Sequence, residues 1–165
     1  MGENPVPRLF PGEQWTDAII EFLAGLDDSA ATIWREYLNH ITKGTRAKEP
    51  SFRWRTKNKE MITRIGREKY FNKVSEWLAL VRKPQNRSID EKYEPLLIGL
   101  AWSAGMSIDE RLIPVLSKTA GSLLSHQYYG SRKGGKACLV AIWFSPFPSA
   151  KKELIFMQKH FVKPY

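Results

Sequence analysis

The chain has 165 residues, 42% of them hydrophobic and 26% charged, with a formal net charge of +9 and a single cysteine, Cys138. That length suits one domain with a substantial buried core, and one cysteine excludes both an internal disulfide framework and a Cys-rich zinc site. No stretch approaches the roughly 18 apolar residues needed to span a bilayer, and the N-terminal MGENPVPRLF has no apolar signal core, so a soluble cytoplasmic protein is expected.

Residues 1–12 read as an irregular arm, and a run of segments with helical periodicity follows. GEQWTDAIIEFLAGL (12–26) places Trp15, Ile19, Phe22 and Leu26 on one side. DDSAATIWREYLNHITKG (27–44) opens on capping residues, carries Ile33, Trp34, Tyr37, Leu38 and Ile41, and closes on Gly44. SFRWRTKNKEMITRIG (51–66) has Ser51 as its N-cap and ends at Gly66. REKYFNKVSEWLALVRKP (67–84) stops before Pro84. After the polar link QNRSIDEKYE, Pro95 fits the first turn of a helix whose body is LLIGLAWSAGM (96–106). IDERLIPVLSKTAGSLLSHQYY (108–129), RKGGKACLVAIWF (132–144) and SAKKELIFMQKHFVK (149–163) complete about eight helices with short connections. The expectation is a single all-α domain over 1–165, built of stacked antiparallel hairpins. The segments around Leu96–Met106 and Ala137–Phe144 are apolar nearly all round and read as inner helices.

Gly130, Gly135 and Lys136 stand at the spacing of a nucleotide-binding P-loop, but Ala137 occupies the position of the magnesium-binding hydroxyl. A P-loop is delivered by a buried strand. Here the preceding TAGSLLSHQYY reads as the end of a helix, so Gly130 ends that helix, SRKGG connects it to the next and Ser131 caps the latter. His40, His126 and His160 each fall near a predicted helix C-terminus, where an imidazolium complements the dipole. None has metal-ligand spacing to another His or to Cys138, and no cofactor or metal is expected. Cys138 lies in an apolar run and reads as a small packed hydrophobe; a Cys138–His126 pair has no local support. Asp27–Asp28 and Asp109–Glu110 fall at helix starts, where negative charge is stabilising.

The basic excess is local. Residues 43–87 hold 14 Lys and Arg against 4 Glu, whereas the rest of the chain is nearly balanced. On the helix starting at Phe52, Trp54, Met61 and Ile65 mark the core side. Arg53, Lys57, Arg64 and Arg67 fall within about 80° of one another at 100° per residue, about a right angle from that side. Such a stripe grips carboxylates or phosphates. No zinc finger, RNP motif or helix-turn-helix accompanies it, so sequence-specific nucleic-acid readout is not indicated. Arg132, Lys133 and Lys136 add cations at the later loop.

FRWRTKNKEMITRIGREKYFNKVSEWLALVRKP, LLIGLAWSAG and GSRKGGKACLVAI together resemble the helical region of the bacterial domain-of-unknown-function 4132 family. That family includes proteins named for similarity to a molybdate metabolism regulator, some of which carry a WGR domain. The matching positions are Trp54, Ile65–Gly66, Phe71 and Trp77–Leu78, then Leu96–Leu97, Gly99–Leu100 and Trp102, and finally Gly130, Arg132, Gly135 and Ala137. The chain departs from the pattern at Ser131, where proline is usual, at Lys133 for serine and at Lys136 for asparagine. The resemblance implies a HEAT-like or armadillo-like right-handed superhelical array within a larger protein, and no established reaction.

The resulting expectation is a non-catalytic binding module. Its basic surface, Arg53, Lys57, Arg64, Arg67, Arg132, Lys133 and Lys136, meets an acidic protein partner or, alternatively, a nucleic-acid backbone. A phosphate- or nucleotide-handling enzyme at the Gly130–Lys136 loop is the remote alternative.

Overall fold

The computed structural model describes residues 9–82, 88–125 and 130–160, with His160 described by its backbone alone. Among these residues the chain is all-helical: α1 (Gln14–Ala24), α2 (Asp28–Ile41), α3 (Phe52–Ile65), α4 (Arg67–Val81), α5 (Glu94–Gly105), α6 (Leu112–Leu124), α7 (Arg132–Phe144) and α8 (Pro148–His160). A 3-10 turn, Glu91–Tyr93, leads into α5, and one isolated parallel bridge joins Ser88 to Gly130. Residues 1–8 of the arm expected over 1–12, the expected stop before Pro84, the segment 126–129 and the expected helix end at 161–163 lie outside the described residues.

Side-chain oxygens fix several helix starts by accepting an otherwise unpaired backbone N–H. Asp27 caps α2 through the Ala30 N–H (2.8 Å), Ser51 caps α3 through Trp54 (3.1 Å) and Ser131 caps α7 through Gly134 (2.9 Å). Three expected boundaries are corrected. The helix expected from residue 108 starts at Leu112, because Ile108 turns to φ 57° and Asp109 instead holds Arg111 in the loop. It ends at Leu124, so Gly130 does not terminate it but pairs with Ser88. α2 ends at Ile41 rather than at Gly44.

The helices lie in two files. α1, α4, α6 and α8 pack in that order in one, and α2, α5 and α7 in the other. Hairpin partners α4–α5 and α6–α7 cross between the files, as do α1–α2. α3 departs from this alternation. It folds back on α2 and also touches α4, with Arg64 opposite Glu36 at one end and Trp54 opposite His40 at the other.

One apolar core receives side chains from every helix. Phe22 of α1, Trp34 and Tyr37 of α2, and Tyr70 and Trp77 of α4 meet edge to face with centroids 5.1–5.8 Å apart, an arrangement favoured by the ring quadrupoles. α5 is buried at every residue from Leu96 to Gly105, as its composition predicts. Its approach to α2 is so close that a Cβ at Gly99 would overlap the Ile41 carbonyl.

α7 corrects the expectation of a second all-round buried helix. Ala137, Cys138, Ala141 and Ile142 face inward, but Leu139 and Val140 are half-buried and Trp143 is 75% exposed. The reason is positional: among the described residues no helix follows α7 in its file, so no file neighbour covers its outer flank there.

Candidate binding surface

Of the four cations expected to form the α3 stripe, two are engaged by the protein itself. Arg64 Nη1 donates to Glu36 Oε2 at 2.8 Å, and Arg67 Nη2 donates to the Ile108 carbonyl at 3.1 Å. Arg67 thereby helps secure the loop between α5 and α6. Arg111 completes that fastening with bonds to Asp109 (2.7 Å) and Glu68 (2.9 Å) while its guanidinium stacks 3.9 Å over Phe71. The bonds from Arg111 hold the Asp109 carboxyl below the usual carboxylate range. Arg53 and Lys57 are exposed and make no ion pair among the described residues.

Arg132, Lys133 and Lys136 are exposed as well, in the first turns of α7. SRKGG is therefore not a connection but the start of the helix. Gly134 and Gly135 are buried there: a Cβ at Gly134 would meet the Leu97 side chain of α5 at 2.6 Å, and one at Gly135 would press on Leu124 of α6. These glycines allow close helix packing, a role unlike the glycines of a phosphate loop, whose backbone faces a ligand. Ser131 Oγ, besides capping α7, donates to Glu94 Oε2 at 2.8 Å.

Between the start of α3 and the end of α7 lies an aromatic patch that the charge pattern does not reveal. The Arg55 guanidinium lies 5.6 Å over Phe52, on the first turn of α3, and 5.0 Å over Phe144, at the end of α7. Phe52 is 75% exposed, as is Trp143 beside Phe144. Arg132 and Trp143 are eleven residues apart on one helix, about 16 Å along its axis. The signal for this patch is present in the sequence as two apolar residues, Phe52 and Trp143, lying off the core side of their helices.

A buried polar cluster marks the opposite extreme. Ser103 Oγ of α5 donates to Asn58 Oδ1 of α3 (2.6 Å) and lies 2.6 Å from the Tyr37 hydroxyl and 2.7 Å from that of Tyr70. Asn58 Nδ2 donates to the Ser103 carbonyl at 3.3 Å. With its proton committed to Asn58, Ser103 Oγ accepts from both tyrosines, and its hydrogen-bonding capacity is filled. Burial raises both tyrosine hydroxyls far above their ordinary value, so both stay protonated. Ser103 has an amide oxygen rather than a base as its acceptor, so the cluster fastens four helices and does not activate a nucleophile.

Cys138 is fully buried and burial pushes its thiol up to about 12, so it packs as a protonated hydrophobe. His126 and the His160 side chain lie outside the described residues. His40 sits in the last turn of α2, as expected, but not as an imidazolium. Burial lowers its pKa, and Lys57 and Lys43 lower it further, against the raising effect of its bond to the Trp54 carbonyl. Its neutral ring stacks on Trp54 at 5.1 Å, and Nε2–H donates to that carbonyl at 3.0 Å. Trp54 itself is 5% exposed and belongs to the core, as its helical position predicts. Among the described residues no group of three or more His, Cys, Asp or Glu is placed to hold a metal ion, and no helix is long and apolar enough to cross a membrane.

A scan against protein-family models finds no match to this chain, and searches of curated proteins and of solved structures find none either.

Proposed function

We propose that the chain is a non-catalytic binding module of the cytoplasm whose basic surface engages an acidic protein partner. The observation that carries this reading is that five of the seven cations expected at the site, Arg53 and Lys57 on α3 and Arg132, Lys133 and Lys136 on α7, are exposed and have no ion partner among the described residues. The two files of helices support reading the chain as part of a HEAT-like superhelical array, the architecture implied by its resemblance to the domain-of-unknown-function 4132 family. Arrays of this kind recognise partners by area and charge over an extended face. An acidic protein is favoured over a nucleic-acid backbone because Arg64 and Arg67 are spent internally. Of the seven cations expected at the site, the five left over stand on two different helices, α3 and α7, rather than on the one continuous track a phosphate chain follows.

The test is titration with polyglutamate and with single-stranded oligothymidylate over a range of salt. Polyglutamate is expected to bind at low salt and to weaken as salt screens the contacts. Reversing Lys133 and Lys136 to Glu is expected to weaken it further. Absence of polyglutamate binding at low salt overturns the reading. Tighter binding of the oligonucleotide, with a steep salt slope, transfers it to nucleic acid.

A further inference from the structure

We infer that the outer flank of α7, continued across Phe144, Arg55 and Phe52 onto α3, is a docking strip for an acidic protein segment carrying apolar residues at its centre. The inference rests on the proposed basic-surface reading and specifies its partner. At 100° per residue, Arg132, Lys133, Lys136, Leu139, Val140 and Trp143 fall within an arc of about 120° on α7. The opposite side of the helix is occupied by α5 and α6.

The chemistry along the strip changes in order. Three exposed cations occupy the first turns, half-buried Leu139 and Val140 follow, and Trp143 projects near the end. Phe144 then meets the Arg55 guanidinium, whose other neighbour is exposed Phe52, and exposed Lys59, one turn along α3 from Arg55, restores positive charge beyond it. A cationic–apolar–cationic strip is complementary to an acidic–apolar–acidic segment.

The same order separates this partner from a nucleic acid. A phosphate backbone is charged at every unit and gains nothing from Leu139 and Val140, whereas a peptide places apolar side chains there and carboxylates at both ends. Trp and Arg are also the residues that dominate binding energy at protein interfaces when a partner excludes water from them. Trp143 can do so only on binding, since it is 75% exposed while Trp15, Trp34, Trp54, Trp77 and Trp102 are buried.

That difference provides the readout. Two synthetic peptides of equal negative charge, one with a Leu-Phe centre between glutamates and one with serines in that place, are titrated onto the full chain. Acrylamide quenching of Trp143 and fluorescence anisotropy of the labelled peptides are followed, with oligothymidylate as a third probe. The Leu-Phe peptide is expected to bind at least about tenfold more tightly than the serine peptide and to protect Trp143 from quenching. Trp143→Ala and Phe52→Ala are expected to remove that preference while leaving the serine peptide's affinity unchanged. Equal affinity of the two peptides, or a preference that survives Trp143→Ala, overturns the strip and leaves the basic-surface reading standing. Failure of both peptides at low salt overturns both. Tighter binding of oligothymidylate than of either peptide, with Trp143 protected, overturns the peptide assignment in favour of a single strand stacking on the rings.

Discussion

Ser103 shows how a single side chain can matter more than its size suggests. Ser103→Ala removes the common acceptor of two buried tyrosines and the donor to Asn58. Leaving such groups unpaired away from water costs about 1–3 kcal/mol apiece, less whatever re-pairing recovers, so a loss of about 2–4 kcal/mol is expected in urea denaturation. Tyr70→Phe, which removes one donor and leaves Ser103 its Asn58 bond, is expected to cost about 1 kcal/mol. His40 supplies a pH-dependent counterpart. Its folded pKa lies below the ordinary 6.5, so the unfolded chain takes up the proton first. Its contribution is complete above about pH 6.5 and is lost as pH falls from there through the lowered folded value. Wild type minus His40→Gln stability, measured from pH 7.5 to 5, is expected to decline across that window. The burial of Trp54 was legible from helical spacing and that of Cys138 from the apolar run around it. Ser103 was not, because one serine in an apolar helix looks the same whether it is idle or shared by three partners.

At the level of elements, α5 and α7 have similar compositions and different surroundings. α5 has a neighbour on either side in its file, α2 and α7, whereas among the described residues no helix follows α7 in that file. Tryptophans on the two helices should therefore behave oppositely. Trp102→Ala empties a site that is 2% exposed and is expected to cost about 3–5 kcal/mol. Trp143→Ala is expected to change stability by no more than about 0.5 kcal/mol, with thermal melts distinguishing the two. Periodicity located all eight helices because each has an apolar side, but composition cannot say how many neighbours a helix will find. That is why α7 was expected to be buried all round. The start of α6 was missed for a local reason: Asp109 and Glu110 resemble first-turn carboxylates, yet Asp109 turns to Arg111 instead.

Across the whole molecule, the excess charge was readable as a segment, and its division between internal and outward use was not. Arg64 and Arg67 find Glu36 and the Ile108 carbonyl, partners 28 and 41 residues away in sequence, which a helical wheel cannot contain. The aromatic bridge from Phe52 to Phe144 is hidden for the same reason, since it forms only when α3 and α7 are brought together. The two-file arrangement likewise depends on long-range neighbours such as α5 and α7, whereas α3 as an extra helix follows from no local signal.

The attachment of α3 has a consequence for how the molecule opens. Standing outside both files, α3 would be the natural first element to detach. Asn58 opposes this, because withdrawing α3 takes away Ser103's acceptor and leaves a buried serine proton facing no partner. Local opening of α3 thus carries a penalty felt at the centre of α5, and the peripheral helix should share the cooperative unit of the core. In native-state hydrogen exchange, amides around Asn58 are expected to match the protection of those around Ser103. Asn58→Ala is expected to uncouple them, letting α3 exchange by its own sub-global opening. Equal protection of both regions in that variant would show that apolar packing alone, through Trp54, Met61 and Ile65, holds the outlying helix in step.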